Sequence, residues 1–103
     1  MILRDLVSSL SRVTAAGPLD TDVSSLTASS REAAPGMLFA AIRGTTSDGH
    51  RFINDALAAG VKAILAETAP PADLDPSIAW LHVPDSRGAL STLASVMAGH
   101  PWK

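Results

Sequence analysis

The pattern of hydrophobic and polar positions predicts a series of short helices and strands. Near the start, apolar residues recur at helical spacing with polar residues between them, which predicts a helix with one apolar stripe. That stripe consists of Leu3, Leu6, Val7 and Leu10. Residues 14–22 contain Gly17-Pro18 and aspartates, so we predict a loop there. Residues 23–28 are a weak strand candidate because their apolar alternation is poor.

The middle of the chain predicts a buried strand followed by a helix. Pro35-Gly36 forms a turn, and the continuous apolar run at 37–42 favours a strand that is buried on both faces. A helix is predicted from about 50 to 59, with Gly60 as its C-terminal stop. Its predicted apolar face consists of Phe52, Ile53, Ala56 and Leu57.

The last third of the chain predicts two strands and a final helix. The strands are expected at 62–67 and 78–83, joined by a proline-rich surface connection. Asp85 is the predicted N-cap of the helix. Its predicted inward stripe consists of Leu90, Leu93, Ala94 and Met97. The order of elements indicates an α/β fold, a small Rossmann-like open mixed sheet of about four to five strands with about three helices.

Composition and charge exclude several classes of function. The chain has 103 residues, enough for one domain with a modest core. The net charge is -2 and the basic residues are scattered, unlike the clustered positive charge of a nucleic-acid binder. The absence of cysteine excludes disulfides and thiolate metal sites. No apolar run reaches the roughly 20 residues that span a bilayer, so we expect a soluble, cytoplasmic protein without membrane insertion.

The loop GTTSDG, residues 44–49, is the strongest candidate for ligand binding. It follows a predicted strand and precedes a helix, where α/β sheets collect ligands and where backbone N–H groups favour an anion such as a diphosphate. The alternative is that Ser47 or Asp48 simply caps the helix, and both roles stay open. The sequence contains neither GxGxxG nor GxxxxGK followed by Ser or Thr, so nothing supports hydride transfer or ATP hydrolysis by this chain.

Two combinations of residues could indicate catalysis or metal binding, but plainer interpretations fit them better. Ser30, Asp48 and His50 resemble a hydrolase triad in residue type only, because no nucleophile-elbow pattern surrounds the serine. The histidines at 50, 82 and 100 are far apart and have no carboxylate motif nearby, so we predict no metal site. His82 is expected to be a strand residue with its hydrogen bonds satisfied.

Two further residues have alternative roles. Arg31 is equally compatible with contact to a phosphate or carboxylate ligand and with a surface salt bridge to Glu32 or another acid. Trp80 is expected in the core and not as a stacking platform for a base.

The residues 29–53, SSREAAPGMLFAAIRGTTSDGHRFI, and 56–67, ALAAGVKAILAE, resemble the N-terminal domain of the Mur ligases. These ATP-dependent enzymes build the peptide stem of peptidoglycan, and their pattern is roughly DSR, PGDLFxAxxG, DGHxFI and AxxxGAxA. The run VPDSRGALSTLA, residues 83–94, resembles the closing helix of that domain. The opening LRDL is most similar to MurE, the UDP-N-acetylmuramoyl-tripeptide synthetase. MurF, the D-alanyl-D-alanine-adding ligase, is the alternative.

The resemblance implies a substrate-binding role for the chain. In the family this domain binds the UDP part of a UDP-N-acetylmuramoyl-peptide, here UDP-N-acetylmuramoyl-L-Ala-D-Glu. The matching positions are Ala28, Ser30, Thr45, Thr46 and Ser47, with no catalytic residue among them. The chain departs from the pattern where Ser29 replaces the aspartate of DSR and Met37 replaces the acid after Pro-Gly. A non-catalytic protein-interaction module with the same fold is a further alternative.

The resemblance also implies a division of labour within a longer enzyme. The family's central domain supplies the P-loop for ATP and the lysine and metal sites, and its third domain receives the amino acid. We therefore expect the full-length ligase to use ATP and Mg²⁺. We expect residues 1–103 to be the N-terminal domain alone, without cofactor and unable to form an amide bond. The expected partners are the UDP-sugar substrate and the remainder of its own ligase chain.

Overall fold

The computed structural model describes residues 2–10, 12–42, 52–72 and 74–97. Within these ranges the chain forms three helices and five strands. Their order is α1 (Leu3–Val7), β1 (Thr14–Ala16), β2 (Ser25–Thr27), β3 (Met37–Ala40), α2 (Ile53–Ala58), β4 (Ala63–Ala66), β5 (Ala79–His82) and α3 (Ser86–Met97).

The strands form one mixed sheet in the order β1-β5-β4-β3-β2. The four strands from β2 to β5 are parallel, and β1 pairs antiparallel with β5 along one edge. Strand β3, helix α2 and strand β4 form the predicted strand–helix–strand unit, since β3 and β4 are parallel neighbours. The predicted α/β class with a mixed sheet is confirmed.

Helices cover both faces of the sheet, which explains the continuous apolar runs of its central strands. Alternate residues of a strand point to opposite faces. Leu38 and Ala40 therefore pack with α1 and α3, whereas Phe39 and Ala41 pack with α2. All four side chains are fully buried, which confirms the prediction that this strand is buried on both sides.

Strand β1 contradicts the predicted loop at 14–22. Its three residues, TAA, carry no local apolar alternation and have an exposed–intermediate–exposed pattern. Pairing with β5 creates the strand: Thr14 lies opposite His82, and Ala16 lies opposite Trp80. Gly17 then turns the chain with a φ of 85°, in the region that favours glycine.

Helix α3 begins as predicted but buries a slightly different face. The Asp85 Oδ1 accepts the Gly88 N–H at 3.1 Å, which confirms the N-cap. The buried residues of the helix are Ser86, Ala89 and Leu93. Ala94 is exposed, so its predicted place in the inward stripe was wrong. At 100° per residue, Ala94 lies a quarter-turn away from Leu93, at the rim of the face.

Three other predictions about packing are confirmed. The face of α2 contacts the core through Ile53 and Ala56, although residues 50 and 51 of the predicted helix lie outside the described residues. Trp80 is only 2% exposed, and its Nε1–H donates to the Thr68 carbonyl at 2.8 Å. His82 is satisfied by the Glu67 carbonyl, 3.2 Å from its Nε2.

Candidate functional site

The carboxyl ends of four parallel strands lie along one edge of the sheet, where ligands of open α/β sheets collect. Strand β2 ends at Thr27, which lies opposite Phe39 of β3. The chain therefore leaves β2 and β3 side by side, through the segment after Thr27 and through Ala41 and Ile42. The predicted Ser30 and the predicted GTTSDG loop follow these two neighbouring strand ends.

The segment after β2 forms a compact turn organised by hydroxyl groups, which we call the hydroxyl turn (residues 27–32). Thr27 is 7% exposed, and its Oγ1 accepts the Ser29 N–H at 3.1 Å. The Thr27 hydroxyl also lies 3.3 Å from the Ser29 carbonyl and 3.4 Å from the Glu32 Oε1. A hydroxyl has one proton, so these two acceptors share it.

Ser29 continues the hydroxyl turn by a second local hydrogen bond. Its Oγ accepts the Arg31 N–H at 3.3 Å, and its carbonyl accepts the Glu32 N–H at 3.1 Å. The Ser29 hydroxyl accepts the hydrogen bond that an aspartate carboxylate often accepts at such positions. Unlike an aspartate, it adds no negative charge to the turn. Ser29 therefore supports this turn through its side-chain hydroxyl.

The five predicted substrate-binding residues are only partly within the described ranges. Ala28 is exposed and Ser30 is half-buried, both in the hydroxyl turn. Thr45, Thr46 and Ser47 lie outside the described residues, as do Asp48 and His50 of the weighed triad and His100. The role of all five as substrate contacts stays a prediction.

Arg31 carries the positive charge of the hydroxyl turn. Its side chain is exposed, and the neighbouring Glu32 carboxylate is directed to the Thr27 hydroxyl. Within the described ranges, no carboxylate forms an ion pair with Arg31. Of the two alternatives for this arginine, the salt bridge with Glu32 is therefore not formed.

Glu67, at the carboxyl edge of the sheet, makes a contact that the sequence pattern did not reveal. It directly follows β4, and its Oε2 accepts both the Ser86 N–H at 2.9 Å and the Ser86 Oγ–H at 3.2 Å. Together with Asp85, it occupies the N-terminus of α3 with carboxylate oxygens. Ser86 lies 19 positions after Glu67, so no local motif signals this contact. The start of α3 is consequently not a free anion site.

A separate cavity of about 420 Å³ lies beside Arg12. Residues of the α1–β1 connection and the start of α3 line it, among them Ser9, Leu10, Arg12, Asp85 and Thr92. Arg12 precedes β1, whereas the hydroxyl turn follows β2, so the two places belong to opposite ends of the strand order. Ala28 and Ser30, the two predicted substrate contacts within the described residues, do not line this cavity.

Metal binding and membrane insertion find no support in the part of the chain that the structure describes. Residues 2–10, 12–42, 52–72 and 74–97 contain no cluster of three or more metal-binding side chains. Among those same residues, no helix combines the length and the apolar character needed to cross a membrane.

Comparison with known proteins identifies relatives over most of the chain. A family model described as "Mur ligase family, catalytic domain" matches residues 22–97. The UDP-N-acetylmuramoyl-L-alanyl-D-glutamate--2,6-diaminopimelate ligase of Chlorobium phaeobacteroides is 42% identical over 101 residues, covering 96% of this chain and 20% of that protein.

Solved structures agree with that relationship. The UDP-N-acetylmuramoylalanyl-D-glutamyl-2,6-diaminopimelate--D-alanyl-D-alanyl ligase of Acinetobacter baumannii matches with a TM-score of 0.73 and 28% identity, over 88% of this chain and 20% of that one. The MurF ligase of Thermotoga maritima, in complex with ADP, matches with a TM-score of 0.57 and 33% identity, over 71% and 16%. The chain thus spans about a fifth of the length of these relatives.

Proposed function

This chain belongs to the Mur ligase family, and on that premise we propose that it binds the UDP moiety of UDP-N-acetylmuramoyl-L-Ala-D-Glu. In this proposal residues 1–103 are the N-terminal substrate-recognition domain of a cytoplasmic, ATP-dependent ligase for peptidoglycan synthesis. The contacts are Ala28 and Ser30 in the hydroxyl turn, with Thr45, Thr46 and Ser47 from the neighbouring loop.

The observation that carries the proposal is the hydroxyl turn at the carboxyl end of β2. It contains the half-buried Ser30 and the exposed Arg31, which makes no ion pair with the described residues, and it lies next to the end of the strand that precedes the GTTSDG loop. Hydroxyl and backbone N–H groups hold a diphosphate by hydrogen bonds without a cluster of lysines. This suits a chain whose net charge is -2 and whose basic residues are dispersed.

The relatives favour a MurE-type ligase over a MurF-type ligase. The Chlorobium relative, named as a 2,6-diaminopimelate ligase, is 42% identical, whereas the MurF-type structures are 28% and 33% identical. We therefore propose diaminopimelate as the residue that the full-length enzyme adds. Addition of D-alanyl-D-alanine, the MurF reaction, is the alternative.

ATP and Mg²⁺ do not fit the residues of this chain. The sequence contains no P-loop pattern, and the described residues contain no metal-binding cluster. In the proposal these cofactors belong to other parts of the ligase, and the present residues bind and orient the nucleotide end of the substrate. The purified 103-residue chain is expected to be inactive, so ATP turnover or amide-bond formation by it would contradict this assignment.

Calorimetric titration with UDP-N-acetylmuramoyl-L-Ala-D-Glu, UDP and ATP tests the proposal. The two uridine compounds are expected to bind and ATP is not. Ser30→Ala should weaken uridine binding about tenfold, by the loss of one hydrogen bond to a charged group.

Two controls separate the hydroxyl turn from other surfaces. Ser95→Ala makes the same change at an exposed position of α3, and Arg12→Ala removes the cation beside the 420 Å³ cavity. Both variants should bind UDP like the unmodified chain. Absence of uridine binding at millimolar concentration would favour a protein-interaction module, and loss of binding in Arg12→Ala would move the ligand to the other cavity.

A further inference from the structure

Thr27 is a buried polar residue whose hydroxyl, among the described residues, bonds only within the hydroxyl turn. Among the described residues, only Thr27 and Ser86 are classed as both polar and buried. Ser86 bonds to Glu67, 19 positions away, whereas the hydrogen bonds of the Thr27 hydroxyl all stay within five positions. Burying a hydroxyl is unfavourable unless its bonds are satisfied, so this one stabilises the turn itself.

The contacts of Thr27 fix the segment on both sides of Ser30. Its Oγ1 accepts the Ser29 N–H at 3.1 Å and shares its proton with the Ser29 carbonyl and the Glu32 carboxylate. Ser29 in turn holds the Arg31 N–H at 3.3 Å. Ser30 is thus the residue between two anchored neighbours, and its own side chain makes no hydrogen bond to the described residues.

The side chain of Thr27 also has little rotational freedom. Its β-branched carbon lies at the end of β2, opposite Phe39, and the residue is 7% exposed. A β-branched residue in a strand has restricted χ1, so the hydroxyl has little freedom to leave the Ser29 amide. Because Thr27 is held at the end of β2, the hydroxyl turn that it bonds to is held in position as well.

We propose that Thr27 is the positioning residue of the nucleotide site: its hydroxyl holds the hydroxyl turn so that the Ser30 Oγ and the Arg31 guanidinium face a diphosphate. The same contacts draw the Glu32 carboxylate toward Thr27 and away from the anion. This inference rests on the proposed function, because it specifies how the turn is held for UDP.

A double-mutant cycle on UDP affinity tests the inference. Thr27→Val keeps the branched shape but removes the hydroxyl, and it should weaken UDP binding about tenfold. Thr27→Ser keeps the hydroxyl and should remain within about threefold of the unmodified chain. If Thr27 acts in part through Ser30, adding Thr27→Val to Ser30→Ala should weaken UDP binding by less than Thr27→Val alone does, because only the positioning of Arg31 is then still lost. Thr14→Val, the same change on exposed β1, is the matched control and should leave affinity unchanged.

Several results would contradict the positioning role of Thr27 or the proposed function. Additive effects of Thr27→Val and Ser30→Ala, or normal affinity in Thr27→Val, would overturn the positioning role while leaving UDP binding intact. Absence of UDP binding by the unmodified chain would overturn the proposed function itself. Should Thr27→Val not fold, a large loss of affinity in folded Thr27→Ser would contradict the inference. Amide hydrogen exchange at Ser29 should be faster in Thr27→Val, and unchanged exchange would also contradict it.

Discussion

Replacing Glu67 should release the N-terminus of α3 from the sheet. The Glu67 carboxylate accepts two hydrogen bonds from Ser86, at 2.9 and 3.2 Å, and Ser86 is fully buried. In Glu67→Ala the Ser86 N–H and Oγ–H lose this acceptor inside the protein. A buried donor left without a partner costs about 1–3 kcal/mol, and loss of a helix cap about 1 kcal/mol.

The expected loss of stability in Glu67→Ala is about 2 kcal/mol, at the low end of the sum because Glu67 is partly exposed and water can reach the site. For a domain of this size, that corresponds to a fall in Tm of roughly 8–16 °C. Glu67→Gln keeps one acceptor oxygen and should lose about half as much.

Thermal and urea unfolding followed by circular dichroism would measure these differences. Glu32→Ala is the matched control, because the Glu32 side chain is exposed and its carboxylate makes only one contact to the described residues, a long one of 3.4 Å to Thr27. It should change the free energy of unfolding by less than about 0.5 kcal/mol. A Glu67→Ala protein as stable as Glu32→Ala would refute the view that this carboxylate fastens α3 to the strand ends.

Other consequences of the structure are open to measurement. Gly17→Ala should lower the free energy of unfolding by at least about 2 kcal/mol in urea titrations, because φ is positive there and a Cβ would collide with the Ile78 carbonyl oxygen; an unchanged midpoint would contradict this. The Ser77 N–H donates to the Asp75 carboxylate at 2.8 Å and lowers the pKa of that group. This stabilisation is present above the unfolded pKa and is lost as the pH falls through the folded pKa, so an NMR titration showing an ordinary or raised pKa would be inconsistent with it. Trp80→Phe removes the indole N–H bond and should cost about 1–2 kcal/mol in the same unfolding assay, with no loss speaking against a satisfied core tryptophan.

The parts of the fold that could be predicted are those whose signal is local. The segments at 37–42, 63–66 and 78–81 are apolar throughout, because helices cover both faces of their strands. Strand β1 could not be predicted, since three half-exposed residues become a strand only through their partners on β5. The strand order likewise depends on contacts between distant segments, which the sequence pattern does not encode locally.

The candidate site also contains residues that could be predicted from the sequence and residues that could not. Ser30 and Ala28 followed from a motif, and the structure places them in one turn at the carboxyl edge of the sheet. Thr27 was missed because a threonine at a strand end resembles any β-former, although hydroxyls at positions 27 and 29 are the spacing of a side-chain-supported turn. Glu67 was missed because its partner is remote in sequence.

A crystal of the 103-residue chain soaked in UDP provides the most direct measurement of where the nucleotide binds. We predict electron density for the diphosphate within hydrogen-bond distance of the Ser30 hydroxyl, with the Arg31 guanidinium turned toward it. Density for UDP in the cavity beside Arg12, with the hydroxyl turn making no contact to it, would contradict the proposed site.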